Sequence, residues 1–96
     1  MVTIGMNYFV RAGKEQVFED ACARVVDAMQ AGAGHDRSEI YRKVGDGRPT
    51  YLIVSRWSSE EDFRAFVASD AFRKVTSWGA ENILEGPPRH TTYREG

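Results

Sequence analysis

The residues equipped for acid–base or nucleophilic chemistry are few. His35 and His90 supply the imidazoles and Cys22 the only thiol in a chain of 96 residues. A nucleophile needs a base within hydrogen-bond reach, and the sequence offers no strong pairing of that kind. Cys22 falls within an apolar helical stripe, where a thiol behaves as a small buried hydrophobe. His35 stands in a Gly-rich connection and is expected in solvent. His90, at the start of the last extended segment, is the better candidate to face a cavity and act as a base. No two histidines and a carboxylate share a metal-binding spacing, so no metal site is expected. Gly45-Asp46-Gly47 and Gly86 lack the surrounding pattern of a phosphate-binding loop.

Asn7 is a polar amide in the middle of an otherwise apolar strand. Buried and unpaired it would cost ~1–3 kcal/mol, so it must reach water, a neighbour or a ligand. It shares a face with Thr3, Gly5 and Phe9. Gly5 leaves space beside it, and an amide there could donate to a substrate oxygen. The aromatic residues are numerous. Phe63 and Phe72 read as core, whereas Trp78, flanked by Ser77 and Gly79, is placed to line a mouth.

These side chains are positioned by elements that the pattern makes plain. The first ten residues alternate, with Ile4, Met6, Tyr8 and Val10 on one side, as a strand requires. Lys14 to Ala31 carries Val17, Phe18, Ala21, Cys22, Val25, Ala28 and Met29 at helical spacing. Gly32 and Gly34 end that helix. Ser38 to Val44 is a second, more polar strand, joined through the turn Gly45–Pro49 to a third, Tyr51 to Trp57. Ser58 to Glu61 has the form of a capping box, opening a helix with Phe63, Phe66 and Val67 inward. Ser69-Asp70 opens another, with Phe72 and Val75 inward and Gly79 as its expected end. Gly86-Pro87-Pro88 forces an extended path into a last strand, Arg89 to Glu95.

The order predicts an α+β fold: a ferredoxin-like βαββαβ unit with an antiparallel four-stranded sheet and helices on one face. Residues 1–96 are expected to form a single domain. Helices on one side leave Leu52, Val54 and Phe9 uncovered on the other. An apolar patch of that kind is rarely left in water, which predicts a homodimer with sheets face to face and Asn7 in the chamber between them.

Composition excludes several classes. Thirteen basic and fourteen acidic residues give a net charge of −1, poorly suited to neutralising a polyanion, so no nucleic-acid partner is expected. One cysteine cannot build a disulfide framework. The longest stretches without a charged side chain, Met1 to Val10 and Ala28 to His35, are too short to cross a bilayer. The amino-terminal residues lack a basic lead and continuous apolar block, so a cytoplasmic protein without a membrane partner is expected.

Together these segments resemble the antibiotic biosynthesis monooxygenase family. The stretch Tyr51-Leu-Ile-Val-Ser-Arg-Trp57 followed by Ser58-Ser-Glu-Glu-Asp-Phe-Arg-Ala-Phe66 is the most telling part. The Ser69-x-x-Phe72 step and the Gly-Pro-Pro turn before a strand carrying Tyr93 are similar too. The resemblance implies a dimeric α/β barrel and a monooxygenase acting on a small aromatic molecule, in some members without any cofactor. In the heme-degrading branch an asparagine on the first strand, a tryptophan and an iron-binding histidine serve heme. Asn7 matches the first, while the other positions fall on Phe66 and Thr76. Threonine is no ordinary axial ligand, so heme is disfavoured as a cofactor. The residue pattern and the resemblance together assign Asn7 and His90 to catalysis and Phe66, Thr76 and Trp78 to substrate binding. Heme degradation and a non-catalytic ligand-binding module are the competing readings.

Overall fold

The computed structural model describes residues 1–95. Their element order is β1 (Val2–Phe9), α1 (Glu15–Ala31), β2 (His35–Arg42), β3 (Thr50–Trp57), α2 (Glu60–Val67), α3 (Asp70–Asn82) and β4 (Arg89–Arg94). All strand pairings are antiparallel, in the order β2-β3-β1-β4. This is the ferredoxin-like arrangement expected from the pattern, with the second helical segment split in two.

Strand alternation sorts the side chains between the faces. On the helix-covered face β1 presents Ile4, Met6 and Tyr8, and β3 presents Tyr51, Ile53, Ser55 and Trp57, all buried. Ile4 and Trp57 are 0% exposed. The indole N–H of Trp57 would be costly to bury unpaired. It donates to Ser55 Oγ at 2.9 Å, two residues back on the same face. The α1 stripe of Phe18, Ala21, Cys22, Val25 and Met29 packs over this row. On the opposite face, Thr3, Asn7, Phe9, Leu52, Val54 and Arg56 are only partly buried.

Several boundaries differ from expectation, each for a local reason. The strand β2 begins at His35 rather than Ser38, so His35 is not a loop residue in open solvent. Its ring meets Trp57 edge-on with centroids 5.1 Å apart, and its Nε2 lies 2.7 Å from Ser38 Oγ. Burial pulls its pKa below the ordinary histidine value. Val44 lies beyond the strand and is 95% exposed. The cap of α2 is Ser59, whose hydroxyl accepts from the Asp62 amide at 3.2 Å. Ser58 is not the cap, since its backbone N–H is committed to the Gly34 carbonyl at 2.8 Å. Ser69 caps α3 as expected, accepting from the Phe72 amide. That helix runs through Gly79 to Asn82. The amides of Ile83 and Leu84 both bond back to the Gly79 carbonyl, which turns these two apolar side chains into the core.

Candidate functional site

Between α1, α3 and the sheet lies a narrow apolar slot. Phe18, Ala21, Cys22 and Val25 line it from α1, Tyr8 and Ile53 from the sheet. The helix α3 contributes Val75, Thr76 and Gly79, and the buried pair Ile83 and Leu84 closes one end. The helical spacing of the α1 residues places them on one face. On α3, Thr76 and Gly79 stand about one turn apart where larger residues would fill the space. The free volume is about 30 Å³, room for about one water molecule.

The polar groups in the slot are all held neutral. Burial pushes the Tyr8 phenol well above its ordinary range, and its hydroxyl donates to Met6 Sδ at 2.7 Å. Burial, with Glu19 adding to it, raises the Cys22 thiol to about 12. A thiol of that acidity is neither a nucleophile nor a base at neutral pH. The Thr76 hydroxyl donates back to the Phe72 carbonyl at 2.6 Å, leaving its oxygen lone pairs as acceptors. The slot therefore offers apolar walls and a few dipoles but no ionised group.

The residues singled out from sequence do not gather in one place. Asn7 lies on the open face of the sheet, paired in register with Leu52 and Arg89. His90 pairs with Met6 and so belongs to the opposite, helix-covered side. It is exposed on the edge strand, its ring 5.6 Å from Phe63. The sheet separates these two side chains, so they do not form a catalytic pair within one chain. Phe66 is buried between Trp57 and Phe72, at 5.4 and 5.1 Å between ring centroids. It floors a separate groove of about 280 Å³ edged by small residues such as Ala28, Gly32 and Ala65. Thr76 lines the slot itself. Trp78, 41% exposed, borders a surface cleft of about 240 Å³ that shares Val75 with the slot. Tyr8 and Cys22 were legible from sequence only as core. The pair of small α3 residues facing the small α1 residues is the signal that a space would open there.

Among the described residues, no three His, Cys, Asp or Glu side chains gather to hold a metal ion. The slot does not fit heme. It offers iron no ordinary ligand: Thr76 has its proton committed to its own helix, and neither histidine lines it.

The profile of the antibiotic biosynthesis monooxygenase family matches residues 1–78. The chain belongs to this family. Among solved structures, an antibiotic biosynthesis monooxygenase from Nitrosomonas europaea superposes with a TM-score of 0.86 at 15% identity, covering 99% of this chain and 98% of its own. SnoaB of Streptomyces nogalater, a cofactor-independent oxygenase, superposes with a TM-score of 0.81 at 18% identity, covering 99% and 92%. At such identities the likeness is one of fold. A candidate heme-binding protein of Haloarcula marismortui is 30% identical over 88 residues, which are 92% of this chain and 13% of the relative. One from Natronomonas pharaonis is 31% identical over 88 residues, 92% of this chain and 14% of the relative. The chain thus spans about one-seventh of the length of these relatives. No helix among the described residues is long and apolar enough to cross a membrane.

Proposed function

We propose that this chain binds a small, largely apolar aromatic molecule in the slot between α1, α3 and the sheet, and oxygenates it without metal or flavin. It does so as a cytoplasmic homodimer whose open sheet faces meet. The observation that carries this reading is the slot's chemistry: apolar walls, with Tyr8 and Cys22 held protonated and Thr76 presenting an acceptor. Such a site has no nucleophile to attack the substrate. It can exclude water from a reactive one.

The reaction suited to it is oxidation of an activated methylene that shares conjugation with a phenolate. The anion gives one electron to dioxygen, and the resulting radical pair combines to form a carbon–oxygen bond. Loss of water from the hydroperoxide then leaves a carbonyl. One CH₂ and one O₂ become one C=O and one H₂O. The protein's part is to orient the ring, keep the space dry and supply fixed dipoles toward developing charge. At about 30 Å³ the slot must widen before a ring can enter. Val75 and Thr76, partly buried on the α3 side, are the residues to be displaced. Phe66 supports that wall indirectly through Phe72.

The open face supports dimerisation. Leu52, Val54 and Phe9 are partly buried, while Tyr41 and Tyr93 at its flanks are 49% and 57% exposed. Asn7 then belongs to the chamber between subunits, separate from the slot.

Heme binding is the second reading, supported by the likeness to the candidate heme-binding proteins of Haloarcula marismortui and Natronomonas pharaonis. Those proteins are far longer than this chain, so their heme need not be held by the matching segment. The deciding experiment measures oxygen uptake by purified protein with a panel of anthrones and phenols, beside a titration with hemin. Uptake that is lost in Val75→Phe and unchanged in His90→Ala is expected, with no Soret band on adding hemin. No uptake with any of the panel would overturn the oxygenase reading. A Soret band that disappears in His90→Ala would establish heme binding instead. Light scattering is expected to report two chains per particle at micromolar concentration, and single chains would overturn the dimer.

A further inference from the structure

The slot has a mouth of distinct chemistry. Val75 lines both the internal space and the surface cleft, whose other walls are Arg24 of α1 and Lys74 and Trp78 of α3. Lys74 and Trp78 are one turn apart on the same helix stripe. Arg24 sits one position before Val25, a wall of the slot. The cleft therefore lies directly outside the slot, with Val75 as the partition.

Two features of this cleft bear on what could pass it. Trp78 keeps 41% of its surface exposed, whereas Trp57 is fully buried. Arg24 and Lys74 both line the cleft, and neither takes part in a salt bridge among the described residues. Two cations lining a cleft beside an exposed indole favour a ligand that has both an aromatic face and a negative charge.

We infer that Arg24, Lys74 and Trp78 form an anion-selecting mouth, and that the molecule entering past Val75 is an aromatic anion, a phenolate or carboxylate. This rests on the slot being the binding site. It also supplies what the slot lacks. No lining group there is an available base, so the substrate must arrive already ionised, its proton lost to bulk water. The mouth favours that form, since fixed cations stabilise an anion close to them.

Binding of 1-naphthoate and of its neutral counterpart 1-naphthamide, followed by quenching of Trp78 fluorescence, tests the assignment. Naphthoate is expected to bind more tightly, with the difference shrinking as salt is raised. The double variant Arg24→Gln, Lys74→Gln is expected to lose about tenfold in naphthoate affinity and none in naphthamide affinity. Val75→Phe, which narrows the passage, is expected to weaken both ligands. Circular dichroism confirms that each variant is folded. Equal binding of the two ligands to the unaltered protein would overturn the mouth. So would naphthoate affinity unchanged in the double variant or indifferent to Val75→Phe. Naphthamide binding that persists without charge preference removes the mouth and leaves the slot standing, whereas failure of both ligands removes both.

Discussion

The two faces of the sheet are built from the same strands and carry different kinds of residue. Beneath the helices, Ile4, Tyr8, Tyr51, Ile53 and Trp57 are 5% exposed or less. On the open side the neighbouring positions Phe9, Leu52 and Val54 are only partly covered, and Arg56 and Asn7 stand among them. The covered face solves its burial within one chain, down to the Ser55 partner of the Trp57 indole. The open face leaves part of its apolar surface for something else to cover. Stability of the single chain therefore resides on one side, and the proposed association on the other.

The strongest way to break this comparison is a matched pair of truncations. Trp57→Ala removes a side chain 0% exposed that touches Phe63, Phe66 and His35. It is expected to cost about 3–5 kcal/mol in denaturant unfolding. Leu52→Ala, one face away, is expected to cost a single chain less than half of that, because its surroundings already admit solvent. Its main effect is instead a shift toward single chains in light scattering. Equal losses of chain stability from both substitutions would mean that the faces are not divided in this way.

Much of this division was legible beforehand, because strand alternation in residues 1–10 and 51–57 places side chains by parity alone. Partnership between strands was not. Whether His90 shares a side with Asn7 depends on the β1–β4 register, in which His90 stands opposite Met6. Nothing local in either segment announces that pairing. The slot was hidden for a similar reason. Its volume arises where the small residues of α1 meet Thr76 and Gly79, more than fifty positions away. The one-residue shift of the α2 cap followed from a backbone bond between Ser58 and Gly34 that a capping pattern does not include. Gly34 itself holds φ at +83°, and a Cβ there would collide with the Asp62 side chain, a long-range approach equally invisible in sequence.

Alkaline pH sharpens the contrast in a second way. The Cys22 thiol is raised from 9.0 to about 12 by burial, with Glu19 adding to the effect. An unfolded chain loses this proton near 9.0 while the folded chain retains it. The stabilisation is thus complete below pH 9.0 and is lost as pH rises toward about 12. Unfolding free energy is expected to fall across that interval, and more gently in Cys22→Ala once its lower baseline stability is subtracted. A fall of identical steepness in the variant would show that the thiol is not sealed beneath α1.

The smallest effect concerns the roof of the covered face. The helix α2 lays Phe63 and Phe66 against Trp57, and its first turn depends on the Ser59 hydroxyl accepting from the Asp62 amide. Ser59→Ala is expected to cost about 1 kcal/mol, the ordinary value of an N-cap. Ser58→Ala is expected to change stability by less than about 0.5 kcal/mol, because the backbone N–H of residue 58 remains available to Gly34 whatever the side chain. Thermal unfolding of the two variants side by side measures the difference. A larger loss from Ser58→Ala would move the start of α2 back by one residue and rotate its aromatic pair relative to Trp57. The tight packing that distinguishes the covered face from the open one would then need a different explanation.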